Sequence, residues 1–255
     1  LDIKGLREDG YHELEMIMQS IALSDIIRVK KISEGIEIEC SDKRIPEDNS
    51  NLAYKAAQII MDNYNINGGV KIYIEKNIPL AAGLAGGSTD AAAVLKSMNK
   101  LFNLKLSKEE FYNLAREIGS DVSFCIYGGT ALATARGDKL KKLDDLAKHP
   151  LLLVKAPVGI STPEIYGAYD NESPEMHIAT SDLIEELKKG DNIDWSIGFK
   201  NILESVTEKR VKDIKKIKEI LREYNPELIL MSGSGPTVFA VLKEENKAEK
   251  IMKEW

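Results

Sequence analysis

The chain has 255 residues, of which 43% are hydrophobic, and carries two cysteines, three histidines and a formal net charge of −6. That length and apolar content suffice for one large or two modest domains, and the acidic balance argues against broad nucleic-acid binding while allowing a small anionic ligand held by local dipoles. No apolar run is long enough for a membrane span, no signal-peptide pattern is visible, and Cys40 and Cys125, far apart in apolar surroundings, read as reduced core thiols of a cytoplasmic protein rather than a disulfide or metal cluster.

Asp25 to Lys31 and Gly35 to Cys40 read as a β-hairpin with Ile36, Ile38 and Cys40 on one face, and a helix follows near residues 50–64. Val70, Ile72 and Ile74 then alternate with Lys71, Tyr73 and Glu75, the period of a half-buried strand. The next segment, Pro79-Leu80-Ala81-Ala82-Gly83-Leu84-Ala85-Gly86-Gly87-Ser88-Thr89-Asp90, joins that strand to a helix on which Leu95, Met98 and Phe102 recur. Its small residues let phosphate oxygens approach backbone N–H groups, with the positive end of the helix aimed at the ligand. Ser88 or Thr89 is expected to cap that helix, with Asp90 in its first turn. The segment lacks the Lys-Ser or Lys-Thr of a Walker loop and the spacing of a dinucleotide fingerprint. Read alone, it serves equally well for tight helix packing.

Ser107 to Glu110 forms a capping-box pattern, and Phe111, Leu114, Ala115 and Ile118 continue an amphipathic helix that stops at Gly119, followed by Ser120-Asp121. Gly128-Gly129 precedes a strand from Thr130 to Ala135, and the charged stretch from Arg136 to Lys148 places a domain boundary before Leu151. The second half opens with a strand from Leu151 to Lys155 and carries several amphipathic helices, one lysine-rich near residues 207–224. It closes with strands from Leu228 to Met231 and Thr237 to Leu242. Between those two lies Ser232-Gly233-Ser234-Gly235-Pro236, too long and too stiff at Pro236 for a two-residue hairpin. Helices mixed with short strands indicate an α+β fold rather than a doubly wound sheet.

Two glycine loops and a carboxylate behind a helix-ending glycine form a constellation. Pro79 to Asp90 resembles the central phosphate loop of the GHMP kinase superfamily, and Met231 to Thr237 resembles its C-terminal glycine motif. Arg7-Glu8-Asp9-Gly10-Tyr11-His12-Glu13 is similar to the signature of the branch that acts on a cytidine diphosphate derivative of methylerythritol in non-mevalonate isoprenoid synthesis. The resemblance covers essentially the whole chain. It implies a two-domain fold, residues 1–147 and 148–255, with the active site in the cleft between them, and transfer of the γ-phosphoryl of ATP to a tertiary hydroxyl of a small molecule, with no nucleic acid or membrane as partner. The oligomeric state stays open.

Carried over residue by residue, the resemblance makes Asp121 the catalytic carboxylate that accepts or orients the hydroxyl proton, although read locally Asp121 is as well a helix cap. The partner lysine of the family lies on a first strand expected to precede Leu1, itself an improbable native start, and a chain without that lysine is expected to be weakly active. Pro79 to Thr89 would hold the triphosphate, and Asn51, Leu52 and Lys76 match positions that approach adenine. Asn51 reads equally as a helix cap and Lys76 as a solvated edge charge. Tyr11, His12 and Tyr166 match contacts to the cytidine end, and Thr162 is expected to meet the substrate's polar groups; His12 reads equally as a turn residue and Tyr166 as a core aromatic. Mg²⁺ is expected on phosphates and water, with Ser88 or Asp121 the chain's own contribution and no dedicated metal cluster.

Ala81, Ala82 and Ala85 stand where relatives often carry glycine, and Ser123 where proline is common. The loop is therefore expected to be stiffer but functional provided those alanines need no positive φ. The rivals are a homoserine- or mevalonate-type kinase, which has no use for a cytosine slot, and a catalytically inactive nucleotide-binding regulator.

Overall fold

The computed structural model describes residues 1–172 and 178–254. In chain order its elements are β1 (Asp2–Leu6), β2 (His12–Gln19), β3 (Ile26–Ile32), β4 (Gly35–Cys40), α1 (Leu52–Asn63), β5 (Gly69–Glu75), α2 (Gly86–Phe102), α3 (Lys108–Ile118), α4 (Ser120–Tyr127), β6 (Thr130–Ala135) and β7 (Lys139–Lys142). There follow β8 (Leu151–Lys155), α5 (Thr162–Glu172), α6 (Thr180–Leu187), α7 (Ile202–Arg210), α8 (Lys212–Arg222), β9 (Leu228–Met231), β10 (Thr237–Val241) and α9 (Glu245–Glu254), so helix and strand are mixed as an α+β fold requires. None of the described helices is long and apolar enough to cross a membrane. The chain divides into two units, one of Met18–Pro79 with Ala85–Lys141 and one of Leu1–Ile17, Leu80–Leu84 and Lys142–Trp255.

In the unit containing Met18–Pro79, the alternation read in residues 70–75 is β5, with Val70, Ile72 and Ile74 fully buried. β5 is the central strand of a sheet ordered β3-β5-β4, antiparallel to β3 and parallel to β4. This corrects the hairpin expected of residues 25–40. A tight turn over Ser33-Glu34 suits hairpin chemistry, but β5 carries the most buried face and takes the middle position, where both its edges are hydrogen-bonded. Helices α1 and α2 pack against each other beside this sheet, burying Ala53, Ala56, Ala57, Ile60, Val94, Leu95 and Met98 in one core with it. The capping box of α3 forms as read: Glu110 N–H donates to Ser107 Oγ, and Ser107 N–H donates back to Glu110 Oε2 at 2.8 Å. Helix α3 ends at Gly119, and α4 starts at once and packs against α2.

The other unit is built on an antiparallel sheet ordered β8-β10-β9, with α8 against β9 and β10, α7 beside α8, and α5 against α7. Its core joins Ile165, Ile202, Leu203, Val206, Ile214, Leu221, Met231, Val238 and Ala240. The lysine-rich stretch read near residues 207–224 is the end of α7 and α8. In α8, Ile214, Ile217 and Leu221 turn inward while Lys212, Lys215 and Lys216 stay outside the core.

Candidate functional site

Helix α2 opens differently from the sequence expectation. Its N-cap is Ala85, in the left-handed region at φ 51°, with no side-chain cap bond. Ser88 and Thr89 lie inside the first turn, where the Thr89 hydroxyl donates to Gly86 O at 2.7 Å. Neither is the cap, and the first N–H groups of the helix are left for a ligand. Ala81 also has positive φ, 47°, as does Gly83 at 69°. Two of the three alanines that replace glycine therefore occupy the conformation that glycine favours, contrary to the condition under which they were expected to be harmless, at a cost of roughly 1–2 kcal/mol each.

Lys76 is no solvated edge charge. Its side chain is 5% exposed and its ammonium is bound between Asp25 and Asp90, with Asp90 Oδ2 at 2.8 Å. Asp25 also receives the N–H groups of Asn77 at 2.6 Å and Ile78 at 2.9 Å. The end of β5 is thereby tied to the start of α2, and a Cβ placed on Gly86 would meet Lys76 Nζ at 3.4 Å. Burial raises the Asp25 carboxyl, but Lys76 and the two N–H donors outweigh it and hold the pKa below the ordinary value. Burial depresses the Lys76 ammonium, yet its bonds to the two carboxylates prevail and raise it. Asp90 loses that contest: burial pushes its pKa up to about 7 despite Lys76, and its Oδ1 has no hydrogen-bond partner among the described residues.

The sign of the pH effect follows. An acid whose folded pKa exceeds its unfolded value stabilises the fold fully below the unfolded value of 3.8 and loses that stabilisation as pH rises to about 7. Asp90→Asn is expected to raise the melting temperature at pH 8 by a few degrees and to change it little at pH 4, read by calorimetry at the two pH values. An equal shift at both would show that ionisation of Asp90 is not the cause.

Asn51 is the N-cap of α1, its side chain accepting from Ala53 N–H at 2.9 Å and donating to Pro46 O at 2.8 Å. Leu52 is near the loop, since a Cβ on Gly87 would meet its Cδ1 at 3.6 Å. Asp121 stands in the first turn of α4, where no side chain makes a cap bond. Its carboxylate makes no hydrogen bond or ion pair among the described residues, and burial alone raises its pKa.

In the other unit His12, Tyr166, Tyr169 and Asp170 come together. The His12 side chain is 10% exposed, with Nε2 2.6 Å from Asp170 Oδ1 and its ring 5.0 Å from Tyr166 and 5.9 Å from Tyr169. Tyr166 is half-buried and also packs on the core. Tyr11 is 55% exposed between β1 and β2. Thr162 opens α5 with its hydroxyl 3.0 Å from that of Ser234, which draws the second glycine loop to the same helix. Sequence reading did not single out Asp25, Asp90 or Asp170 as partners. The signals were an acid among the apolar positions of α2, and an acid four residues after Tyr166 on one helical face.

Comparison with known proteins places the chain in a family. The family of GHMP kinases N terminal domains matches residues 51–129, and that of GHMP kinases C terminal domains matches residues 180–255. A 4-diphosphocytidyl-2-C-methyl-D-erythritol kinase of Clostridium botulinum (strain Alaska E43 / Type E3) is 49% identical over 98% of this chain and 89% of its own length. The enzyme of the same name from Clostridium beijerinckii is 46% identical with the same coverage of both. A crystal structure of 4-(cytidine 5'-diphospho)-2C-methyl-D-erythritol kinase superposes with TM-score 0.81 at 29% identity, covering 99% of this chain and 91% of that one. A homoserine kinase from Cytophaga hutchinsonii shares the fold, with TM-score 0.72 at 20% identity over 90% of this chain and 79% of its own. The chain belongs to the GHMP kinases, within the family of the 4-diphosphocytidyl-2-C-methyl-D-erythritol kinases.

Proposed function

We propose that the chain transfers the γ-phosphoryl group of ATP to the 2-hydroxyl of 4-diphosphocytidyl-2-C-methyl-D-erythritol, a step towards isoprenoid precursors. The hydroxyl oxygen bonds to the γ-phosphorus as the bond to the β–γ bridging oxygen breaks, leaving ADP, and the hydroxyl proton passes to Asp121. The observation that carries the site is Asp121 itself: a desolvated carboxylate that among the described residues caps nothing and pairs with nothing, on a helix packed against the one the glycine loop opens. Raising its pKa strengthens it as a proton acceptor.

The N–H groups of Leu80–Leu84 and of Ala85–Ser88 are proposed to hold the triphosphate, with Thr89, whose own N–H bonds to Ala85 O, beside them and Pro79 setting the entry to the loop. Asn51, Leu52 and Lys76 line the adenine end. With the Lys76 ammonium committed to two carboxylates, any contact it makes there uses its backbone or its stem. Tyr11 and Tyr166 offer ring faces to cytosine, His12 a base-edge contact held in place by Asp170, and Thr162 a hydroxyl for the substrate's polar groups.

Among the described residues no group of three or more His, Cys, Asp or Glu could hold a metal. A Mg²⁺ ion bound mostly by phosphates and water fits this chain, with Asp121 and Ser88 the residues able to complete its shell. When bound it neutralises phosphate charge. The free thiols of Cys40 and Cys125 suit a reducing cytoplasm.

The test is ADP release by the full chain with ATP, Mg²⁺ and either the cytidine compound, homoserine or mevalonate. Turnover is expected with the first alone. In Tyr166→Ala the KM for the cytidine compound is expected to rise by roughly 5- to 150-fold, the worth of one stacked base, with the KM for ATP unchanged. Turnover of homoserine or mevalonate, or an unchanged KM in Tyr166→Ala, would remove the cytosine slot from the account.

A further inference from the structure

Helix α7 grips the second glycine loop from two sides. Asn201, 5% exposed, uses its side-chain oxygen to cap α7 at Leu203 N–H, 3.1 Å, and its amide N–H groups to hold the carbonyls of Met231 at 2.9 Å and Gly233 at 2.7 Å. One turn on, Glu204 Oε2 accepts from Met231 N–H at 2.7 Å, and the Thr207 hydroxyl donates to Ser234 O at 3.3 Å. The loop closes on itself through Gly235 N–H to Ser232 O, 2.8 Å, and Ser232 N–H to Thr237 O, 2.9 Å. Every bond fixes backbone.

Two side chains of this loop reach outward, Ser234 to Thr162 and Ser232 to the first glycine loop. The Ser232 hydroxyl donates to Gly83 O at 2.8 Å, and the Gly83 backbone lies so close that a Cβ there would come within 2.7 Å of Gly235 O. A peptide unit is planar and trans, so fixing the carbonyl of residue 83 also fixes the direction of the N–H of Leu84 on the opposite edge of the same plane. That N–H belongs to the first glycine loop.

We infer that Asn201 and Ser232 are positioning residues of the kinase: Asn201 holds the second glycine loop rigid so that the Ser232 hydroxyl can set the Gly83–Leu84 peptide plane for a nucleotide's phosphate. Neither residue touches the reacting atoms in this account. The inference rests on the phosphate-loop reading above and extends it to Ser232, 149 positions beyond Gly83, and to the Asn201 that holds its loop. A glycine at 83 allows the approach, and the hydroxyl at 232 uses it. A loop serving only as a connector between β9 and β10 needs its own internal bonds but not the one to Gly83.

Two variants separate positioning from plain loop packing. Ser232→Ala removes only the bond to Gly83. Asn201→Asp keeps the cap oxygen for Leu203 while replacing the two donors to Met231 and Gly233 by an acceptor. Binding of a non-hydrolysable ATP analogue and of adenosine is measured by calorimetry, with KM for the cytidine compound alongside. Ser232→Ala is expected to weaken the ATP analogue about five-fold, as for one lost hydrogen bond, and to leave adenosine and the cytidine KM unchanged. Ser232→Thr, which retains the hydroxyl, is expected to restore the loss, and Asn201→Asp to exceed it. Unchanged affinity for the ATP analogue in Ser232→Ala, or equal weakening of adenosine, would overturn the inference. Failure of the unaltered chain to bind the ATP analogue at all would overturn instead the nucleotide reading beneath it.

Discussion

Asp121→Asn is expected to lower kcat by roughly 10²- to 10⁴-fold, the usual worth of a positioned proton acceptor, and at the same time to make the protein more stable. The two effects share one cause. A carboxylate pushed above its ordinary pKa by burial opposes folding whenever it is ionised. Its folded pKa lies above the unfolded value, so the penalty is absent below pH 3.8 and grows as pH rises through the folded pKa. Asparagine keeps the shape and removes the charge. The gain in stability should therefore be present at pH 8, on the order of 1 kcal/mol, and vanish near pH 4. Single-turnover ADP formation gives the first quantity, urea unfolding at two pH values the second. An inactive variant that is also less stable at pH 8 would mean that Asp121 has a structural partner and would count against its catalytic role.

The second large effect is on folding. Lys76→Met is expected to cost about 3–5 kcal/mol, because it strands two carboxylates whose side chains are 2% and 5% exposed. A fall in melting temperature on the order of 10 °C at pH 8 follows. Loss of the ammonium raises both carboxyls relative to the parent, so acid protonates them more readily in the folded state and the deficit narrows towards pH 4. Adding Asp90→Asn to Lys76→Met should return part of the loss at pH 8, as one stranded charge is then gone. A Lys76→Met protein as stable as the parent at pH 8 would show that the triad is dispensable and that water reaches the two acids.

Much of this was legible in the chain. Residues 70–75 declared a strand by period two, Ser107 to Glu110 a helix start by reciprocal capping, and Gly119 a helix end, because each of those signals is local. The glycine loop was legible as a loop and its helix as a helix, but Ser88 and Thr89 looked like caps where the backbone itself turns at Ala85. A left-handed alanine has no sequence signature. The hairpin expected of residues 25–40 failed for a different reason: pairing is settled by the burial of a strand that begins only at Gly69. The solvated alternative for Lys76 stayed open because its partners, Asp25 and Asp90, lie 51 and 14 positions away and meet it only in the fold. The grip of Asn201 on Met231 and Gly233 is hidden in the same way, across 30 and 32 positions. Local chemistry reads out of sequence; long-range polar pairs do not.

The order β3-β5-β4 also constrains the sequence of events as the chain is made. When synthesis has passed Cys40, β3 and β4 are both available, but neither forms an edge with the other in the finished sheet. Each must wait for β5, and the parallel partner β4 must wait across a crossover that includes α1. Such non-local pairing is slow. A ribosome-bound chain ending at residue 68 therefore holds β3 and β4 without the strand that joins them, and its Ile36 and Ile38 are open to chaperones or to a second chain. The glycine loop begins four residues after β5, so this unit becomes a sheet and acquires the anchor of its phosphate loop in the same stroke.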